Sequence, residues 1–437
     1  MSCVIGSTQH ALKAAGASSS QLHTKRLVRD FSVALVSWTA MRLRTLLPLL
    51  AALALLAVAA PSALALDAAT LRASLTKAMG PAGGYSGAYA RDLETGVELV
   101  DVRSDAPRIP ASVEKLFVTS SALLRYGPTG ELTTRAVTDG EVDEDGVLRS
   151  DLWLVGGGDP ALTEADLKRM ASAIAAGGVS RIDGGVVADD TRFDRRRGGP
   201  RTGWAADSDM GGRLGALLMS RGFQTSPATF VADRFGAQLK AAGVKLGRRA
   251  RVGAAPEEAQ ELATDTSPPI GDLIRQTNVP SDNFLAEMLL KNLGAEYGGA
   301  GTTTAGAAVV RDTLDDFGVR PRIADGSGLS RDNRTTPRQV VRLLERMEGQ
   351  ETAATWRSSL AVTGRTGTVR LRMRGSAAAG RCRVKTGTIR GVSNLAGVCT
   401  TTGGRAVAFA WLMNGVSTYG AHTIQDRMTA LLARYSG

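Results

Sequence analysis

The sequence predicts a fold that mixes α-helices with β-strands, on three observations. After Pro110 the apolar positions Val113, Leu116, Phe117, Leu123 and Leu124 recur at helical spacing until Gly127-Pro128 stops them. The stretch "RQTNVPSDNFLAEMLLKNLG" places Ser281, Asp282 and Asn283 in the turn between two more helical patterns. Near the C-terminus "RCRVKTGTIRG", "SNLAGVCTT" and "RAVAFAWLM" are consecutive strand patterns, and "TIQDRMTALLARYSG" reads as a closing helix.

Taken from the N-terminus, the first element is not part of the fold. From Met41, "MRLRTLLPLLAALALLAVAAPSALALD" has a basic start, an uncharged apolar run and a small-x-small end at Ala63-Leu64-Ala65. This layout predicts a signal peptide over 41–65, cleaved after Ala65; the competing reading is a membrane span. Residues 1–40 then precede the natural start and read as an over-long N-terminus, with Met41 as the true initiator. The expected destination is outside the cytoplasm, in the periplasm or against the cell wall, with no stable membrane anchor after cleavage.

Composition narrows the function. The 437 residues are 43% hydrophobic and 22% charged, which suits a globular protein with room for more than one domain. Six basic residues and one acidic residue lie in 1–65, so the net charge falls from +11 to +6 on processing. That balance suits an anionic surface, and no basic cluster interleaved with aromatics points to nucleic acid. Histidine occurs only at 10, 23 and 422, which excludes an HExxH centre and a His-rich zinc site and makes a Ser-His-Asp triad improbable. There is no GxxxxGK[ST] loop, and "VGGGDP" at 155–160 fails the dinucleotide fingerprint. No metal or cofactor is expected. If the chain is an enzyme, its base is not histidine.

Ser112 sits at the start of the first helix pattern and Lys115 one turn on, on the same face. A lysine held against a hydroxyl and desolvated in a cleft loses proton affinity, so its neutral amine can serve as general base. The helix N-terminus adds a free N–H where an oxyanion would form. The SxxK spacing alone is weak, because Ser74 and Lys77 repeat it. Ser281-Asp282-Asn283 alone reads as a helix cap, and Lys385-Thr386-Gly387 alone as an edge strand with a solvated lysine. In this order, on a helix, a helix connection and a strand, the three together form a far more specific set.

On these motifs, and on "LVGGGDPALT", "GGVVADDTRFD", "DGSGLSRDN" and "GRCRVKTGTIRGVSNLAGV", the chain from about residue 68 resembles the penicillin-recognising serine enzymes. Within them it is most similar to the D-alanyl-D-alanine carboxypeptidase/endopeptidase family of low-molecular-weight penicillin-binding proteins. The resemblance implies an α+β, serine β-lactamase/transpeptidase-like domain: an antiparallel sheet flanked by helices, beside a helical lobe. It also implies an inserted smaller domain, here 136–262, between catalytic segments 66–135 and 263–437. The expected partners are peptidoglycan stem peptides and β-lactam antibiotics.

By the same resemblance Ser112 is the nucleophile and Lys115 its base. Asn283 holds Lys115 and the substrate, and Ser281 beside Lys385 relays a proton to the leaving amine. The N–H groups of Ser112 and Thr388 form the oxyanion hole, Gly387 leaves room for the peptide, and Lys385 with Thr386 and Thr388 reads the terminal carboxylate. Asp282 is structural. Arg331 is the expected reader of a diaminopimelate carboxylate, with Asp207 and Asp209 as weaker acidic candidates for the same side chain. A β-lactamase lacks its ExxLN motif here; a D-amino-acid peptidase or esterase on the same fold, or a catalytically silent penicillin sensor, remain the alternatives. Finally, a two-residue turn at Arg390-Gly391 would set Cys382 opposite Cys399, on the sheet face away from Lys385, and predicts a cross-strand disulfide.

Overall fold

The computed structural model describes residues 66–437; the expected leader and the segment before it lie outside them. Asp67 caps helix α1 (Ala68–Met79) by accepting from the Thr70 N–H. Strands β1 (Gly87–Asp92) and β2 (Glu98–Val102) follow, then a 3₁₀ turn over Ala111–Glu114 that runs directly into α2 (Lys115–Tyr126). The chain next forms β3 (Thr133–Thr138), β4 (Val147–Leu148), β5 (Leu152–Val155), α3 (Glu164–Ala176), β6 (Arg181–Ile182) and β7 (Val186–Asp189). After α4 (Pro227–Ala241) come β8 (Lys245–Leu246), β9 (Arg251–Val252) and β10 (Gln260–Thr266). Helices α5 (Ile270–Asn278), α6 (Asn283–Tyr297), α7 (Thr303–Asp315), α8 (Pro337–Glu348) and α9 (Ala353–Ser358) lead to β11 (Ala361–Val362). The chain closes with β12 (Cys382–Ile389), β13 (Val392–Thr400), β14 (Ala406–Asn414) and α10 (Thr418–Leu432).

The main sheet is antiparallel throughout, in the order β11-β12-β13-β14-β1-β2, so strands from both ends of the described chain meet at β14 and β1. Both of its faces are covered, and β14 shows how one strand serves two cores. Ala408, Ala410 and Leu412 face the helical lobe with Leu116, Phe117, Ile274, Leu290 and Leu344. Val407, Phe409, Trp411 and Met413 face Leu71, Leu75, Met428 and Leu432 of α1 and α10. Period-two alternation sends small residues to one side and large ones to the other, which lets the helical lobe approach the sheet closely.

A second sheet, β10-β3-β5-β7-β9, is drawn from chain between Thr133 and Thr266. Its pairs β5–β7 and β7–β9 are parallel, each joined through a helix, as parallel neighbours require. Leu167, Met170 and Ile174 of α3 and Val231, Phe235 and Leu239 of α4 bury against Leu152, Leu154 and Val186, giving this sheet a core of its own. Strands β4, β6 and β8 form a small parallel sheet beside it.

Candidate active site

Three segments that are distant in sequence meet at the start of α2. In the 3₁₀ turn the side chains at i and i+3 eclipse, which stacks Ser112 and Lys115. Lys115 is fully buried, and its Nζ donates to Ser112 Oγ at 2.9 Å, to Asn283 Oδ1 at 2.7 Å and to the Ser327 carbonyl. Ser112 Oγ also lies 3.4 Å from that carbonyl. Lys385 on β12, equally buried, donates to Ser281 Oγ at 2.8 Å and to its neighbour's carbonyl, Thr386 O, at 2.9 Å. Two serine–lysine pairs are thereby joined through the short turn that carries Ser281 and Asn283.

The backbone is strained where it presents these groups. Ala111, just before the nucleophile candidate, has φ 45°, and Ser281 has φ 68°. Left-handed conformations at non-glycine residues persist only where their surroundings fix them. At Ser281 the surroundings are visible: Asp282 caps α6 by accepting from the Leu285 N–H and takes both Nη groups of Arg221 at 2.9 Å. The structural role expected of Asp282 has a concrete form in this clamp.

Burial sets the electrostatics. Desolvation lowers Lys115 to about 8, against the pull of Asp325, Glu287, Asp282 and Glu114, all of which favour its charged form. Desolvation, and then the charge of Lys115, pushes Lys385 well below the ordinary lysine range. A neutral amine beside a hydroxyl can accept its proton. The same site can stabilise an incoming anion beside Lys385, where a negative group would restore the charged amine.

β12 leaves an open edge beside these groups. Its outer neighbour β11 pairs only with Arg383 and Val384, so residues 386–389 have no strand partner on that side among the described residues. An extended peptide can add along such an edge through main-chain hydrogen bonds.

The matching family model decides what this arrangement belongs to: residues 68–213 and 217–435 fit the D-Ala-D-Ala carboxypeptidase 3 (S13) family. The chain is a member of the S13 family. It is 31% identical to a D-alanyl-D-alanine carboxypeptidase of Actinomadura sp. (strain R39), over 81% of this chain and 82% of that one. It is 30% identical to carboxypeptidase DacB of Mycolicibacterium smegmatis, over 78% of each chain. In fold it is similar to the crystal structure of penicillin binding protein 4 (dacB) from Haemophilus influenzae, with a TM-score of 0.73 at 21% identity, covering 83% of this chain and 99% of that one.

Within this S13 chain, the other expected residues have the following surroundings. A Cβ on Gly387 would lie 2.5 Å from the Pro110 carbonyl and 3.1 Å from the Ser112 nitrogen. The contact between β12 and the Ser112 turn therefore requires glycine at this position. Pleating puts Thr386 and Thr388 on the other side of the strand from Lys385. Thr386 Oγ1 donates to Thr368 Oγ1 at 2.8 Å, and Thr388 is exposed.

Arg331 is exposed and donates to the Arg390 carbonyl at 2.9 Å, over the hairpin turn at the end of β12. Asp207 and Asp209 both pair with Arg201, at 2.6 and 2.7 Å, so the two carboxylates share one guanidinium. Lys77 is exposed and Ser74 lies within α1, which separates the second SxxK copy from every other motif residue. The cysteine expectation is met: Cys382 and Cys399 are bonded across the β12–β13 register, with Cα atoms 4.0 Å apart, and both are buried on the face away from Lys385.

Sequence reasoning missed the Ser327 carbonyl and the carboxyls behind it, Glu287 and Asp325. The quoted stretch "DGSGLSRDN" carried the signal, since clustered Asp, Gly, Ser and Asn mark a tight loop; the role lies in a backbone atom, which no residue type announces. A cavity of about 910 Å³ opens elsewhere, at the far end of α2 beside Arg125, Arg135, Arg192 and Tyr297. It includes none of the motif residues.

Proposed function

We propose that this S13 chain is a serine D-Ala-D-Ala carboxypeptidase that acts on peptidoglycan stem peptides through an acyl-enzyme and is acylated by penicillins. One observation carries the reading: Lys115 Nζ bridges Ser112 Oγ and Asn283 Oδ1 while Lys385 Nζ meets Ser281 Oγ, all inside one buried cluster. Ser112 attacks the carbonyl between two terminal D-alanines as Lys115 takes its proton, and the tetrahedral oxyanion is met by the Ser112 and Thr388 N–H groups. Ser281, held by Lys385, passes its proton to the departing D-alanine and is reprotonated by Lys115, whose amine is thereby neutral again. Water then attacks the ester as Lys115 takes one of its protons, and Lys115 returns that proton to the Ser112 oxygen as the acyl bond breaks.

The substrate's terminal carboxylate supplies the counter-charge that buried Lys385 lacks, which favours free C-termini. The open edge of β12 at 386–389 receives the peptide backbone, and Thr386, Gly387 and Thr388 line that approach. Arg331, whose guanidinium donates to the Arg390 carbonyl beyond the end of that strand, meets a side-chain carboxylate of the stem peptide. Residues 136–262 act as an inserted unit beside a catalytic domain of 66–135 and 263–437. We place the mature protein outside the cytoplasm, released from a leader at 41–65; among the described residues no helix is long and apolar enough to cross a membrane.

The test is covalent labelling by a fluorescent penicillin with D-alanine release from a diacyl-Lys-D-Ala-D-Ala tripeptide measured in parallel. Label and release that both vanish in Ser112→Ala, and persist in Ser74→Ala, support the assignment. A folded wild type that takes no label refutes it. Label with rapid drug turnover and no D-alanine release would favour a β-lactamase.

A further inference from the structure

The loop between α7 and α8 carries a deliberate arrangement of buried acid. Glu287 lies one turn after Asn283 on α6, on the same face, and is fully buried. Its Oε1 accepts the backbone N–H groups of Gly326 at 2.9 Å and Ser327 at 2.8 Å. Its Oε2 is buried with no hydrogen-bond partner. Asp325, 1% exposed, accepts from the Gly328 and Ser330 N–H groups at 2.9 and 2.6 Å and from Asn333 Nδ2 at 2.7 Å. Asn333 Oδ1 closes the ring on the Ala324 N–H at 2.6 Å.

These bonds, together with the Arg322–Arg334 backbone bridge, fix the loop, and their product is the aim of one carbonyl. Ser327 O accepts from Lys115 Nζ and lies against Ser112 Oγ. Gly328, at φ 83°, passes so close to the nucleophile turn that a Cβ would be 2.0 Å from the Ala111 carbonyl. The loop is thus pressed against the strained residue that precedes Ser112.

We propose that Glu287 is a positioning residue for acylation, acting on Lys115 twice: through the Ser327 carbonyl that it holds in place, and through its own negative charge. The inference rests on the reading of Ser112 and Lys115 as nucleophile and base. A carboxylate near an amine in a dry site favours the protonated amine. The titratable groups that face Lys115 are Glu114 from its own element, Asp282 at the cap of α6, Glu287 within α6, Asp325 from the loop and Lys385 from β12; burial raises Glu287 to about 7, so it still carries its charge where Lys115 titrates. Of the three fully buried acids among them, Glu287 alone touches the Ser327 N–H.

Glu287→Gln keeps an amide oxygen for the Gly326 and Ser327 N–H groups and removes the charge. Glu287→Ala removes both. The full chain, with lysines labelled at 13Cε and Lys115 assigned through Lys115→Arg, is titrated by NMR, and the second-order rate of penicillin acylation is followed over the same pH range. In Glu287→Gln the Lys115 midpoint moves down by about one pH unit, and the acid limb of the acylation profile moves with it. In Glu287→Ala acylation also falls at least about tenfold at every pH, because the Ser327 carbonyl is released.

An unchanged Lys115 midpoint in folded Glu287→Gln overturns the proposal whether or not the chain reacts with penicillin, since the titration needs no substrate. A midpoint that moves in a chain that takes no label, or keeps its label in Ser112→Ala, overturns the acyl-enzyme reading instead and leaves the Glu287–Lys115 coupling standing. If Glu287→Ala does not fold, Glu287→Gln still decides.

Discussion

At the scale of single residues, two buried ionisable groups give the sharpest expectations. Lys115 is lowered to about 8 by burial, and as the proposed base it must be neutral to take the Ser112 proton. Acylation by a penicillin therefore rises with pH through about 8 and loses about tenfold per unit below it. A stopped-flow pH profile checks this, and a flat profile from pH 6 to pH 9 would remove Lys115 as the base. Glu114 is a different case. It is fully buried beside Lys115, both carboxyl oxygens lack a hydrogen-bond partner, and burial raises it well above 4.5.

A carboxyl raised in the folded state binds more protons folded than unfolded, so its contribution to stability is present below the unfolded value and declines as pH rises. The slope is about 1.4 kcal/mol per pH unit from about 4.5 up to the folded value. Glu114→Gln abolishes this slope: its urea midpoint is expected to change less than that of the wild type between pH 5 and pH 8. Equal changes in both proteins would show that Glu114 ionises freely.

At the scale of elements, the β12–β13 hairpin does two jobs that can be separated. The disulfide closes a separation of 17 residues on the face away from the motifs. Replacing both cysteines by serine should cost about 3 kcal/mol of stability, hence roughly 5 °C in Tm, with acylation rates nearly unchanged. Calorimetry and labelling on one preparation test both halves. Gly387→Ala is expected to do the reverse. Its new Cβ would start 2.5 Å from the Pro110 carbonyl, so strand and turn must separate by about 1 Å, enough to slow acylation about 100-fold while the fold survives.

The hairpin also shows why some elements were legible. Its alternation, its turn and the Cys pairing follow from a period of two and a two-residue loop, which are local properties. The direction of Thr386 and Thr388 follows from the same alternation, which sets them on the other side of the strand from Lys385. Why residue 387 is glycine could not be read locally, because the atoms it must clear, Pro110 O and Ser112 N, lie far away in the chain.

At the scale of the whole molecule, the segment between the first and second motifs reaches back to the site. Arg221 grips Asp282 with two bonds of 2.9 Å and lies over the Phe284 ring, and Asp209 O accepts from Asn283 Nδ2 at 2.7 Å. Arg221 is partly exposed, so its ion pair adds only about 1 kcal/mol to stability. Its larger effect falls on Ser281, whose left-handed φ relaxes without the clamp. Arg221→Ala is expected to lower the acylation rate about tenfold with a small change in Tm, and Asp282→Asn in the same background should add little further loss. Additive losses in that double-mutant cycle would show that the two residues act separately.

The sequence by itself determined the mixed α and β composition, the three motifs, the identity of Ser112, Lys115, Ser281, Asn283 and Lys385 as one set, and the Cys382–Cys399 pairing. Each of these is encoded by residue type at short spacing, or by a register that a turn fixes. The tertiary structure decided which acids stand behind Lys115, that Asp207 and Asp209 share Arg201, and that Ser327 contributes a carbonyl to the site. Those facts depend on backbone atoms and on burial, which arise only when segments hundreds of residues apart are packed together and cut off from water.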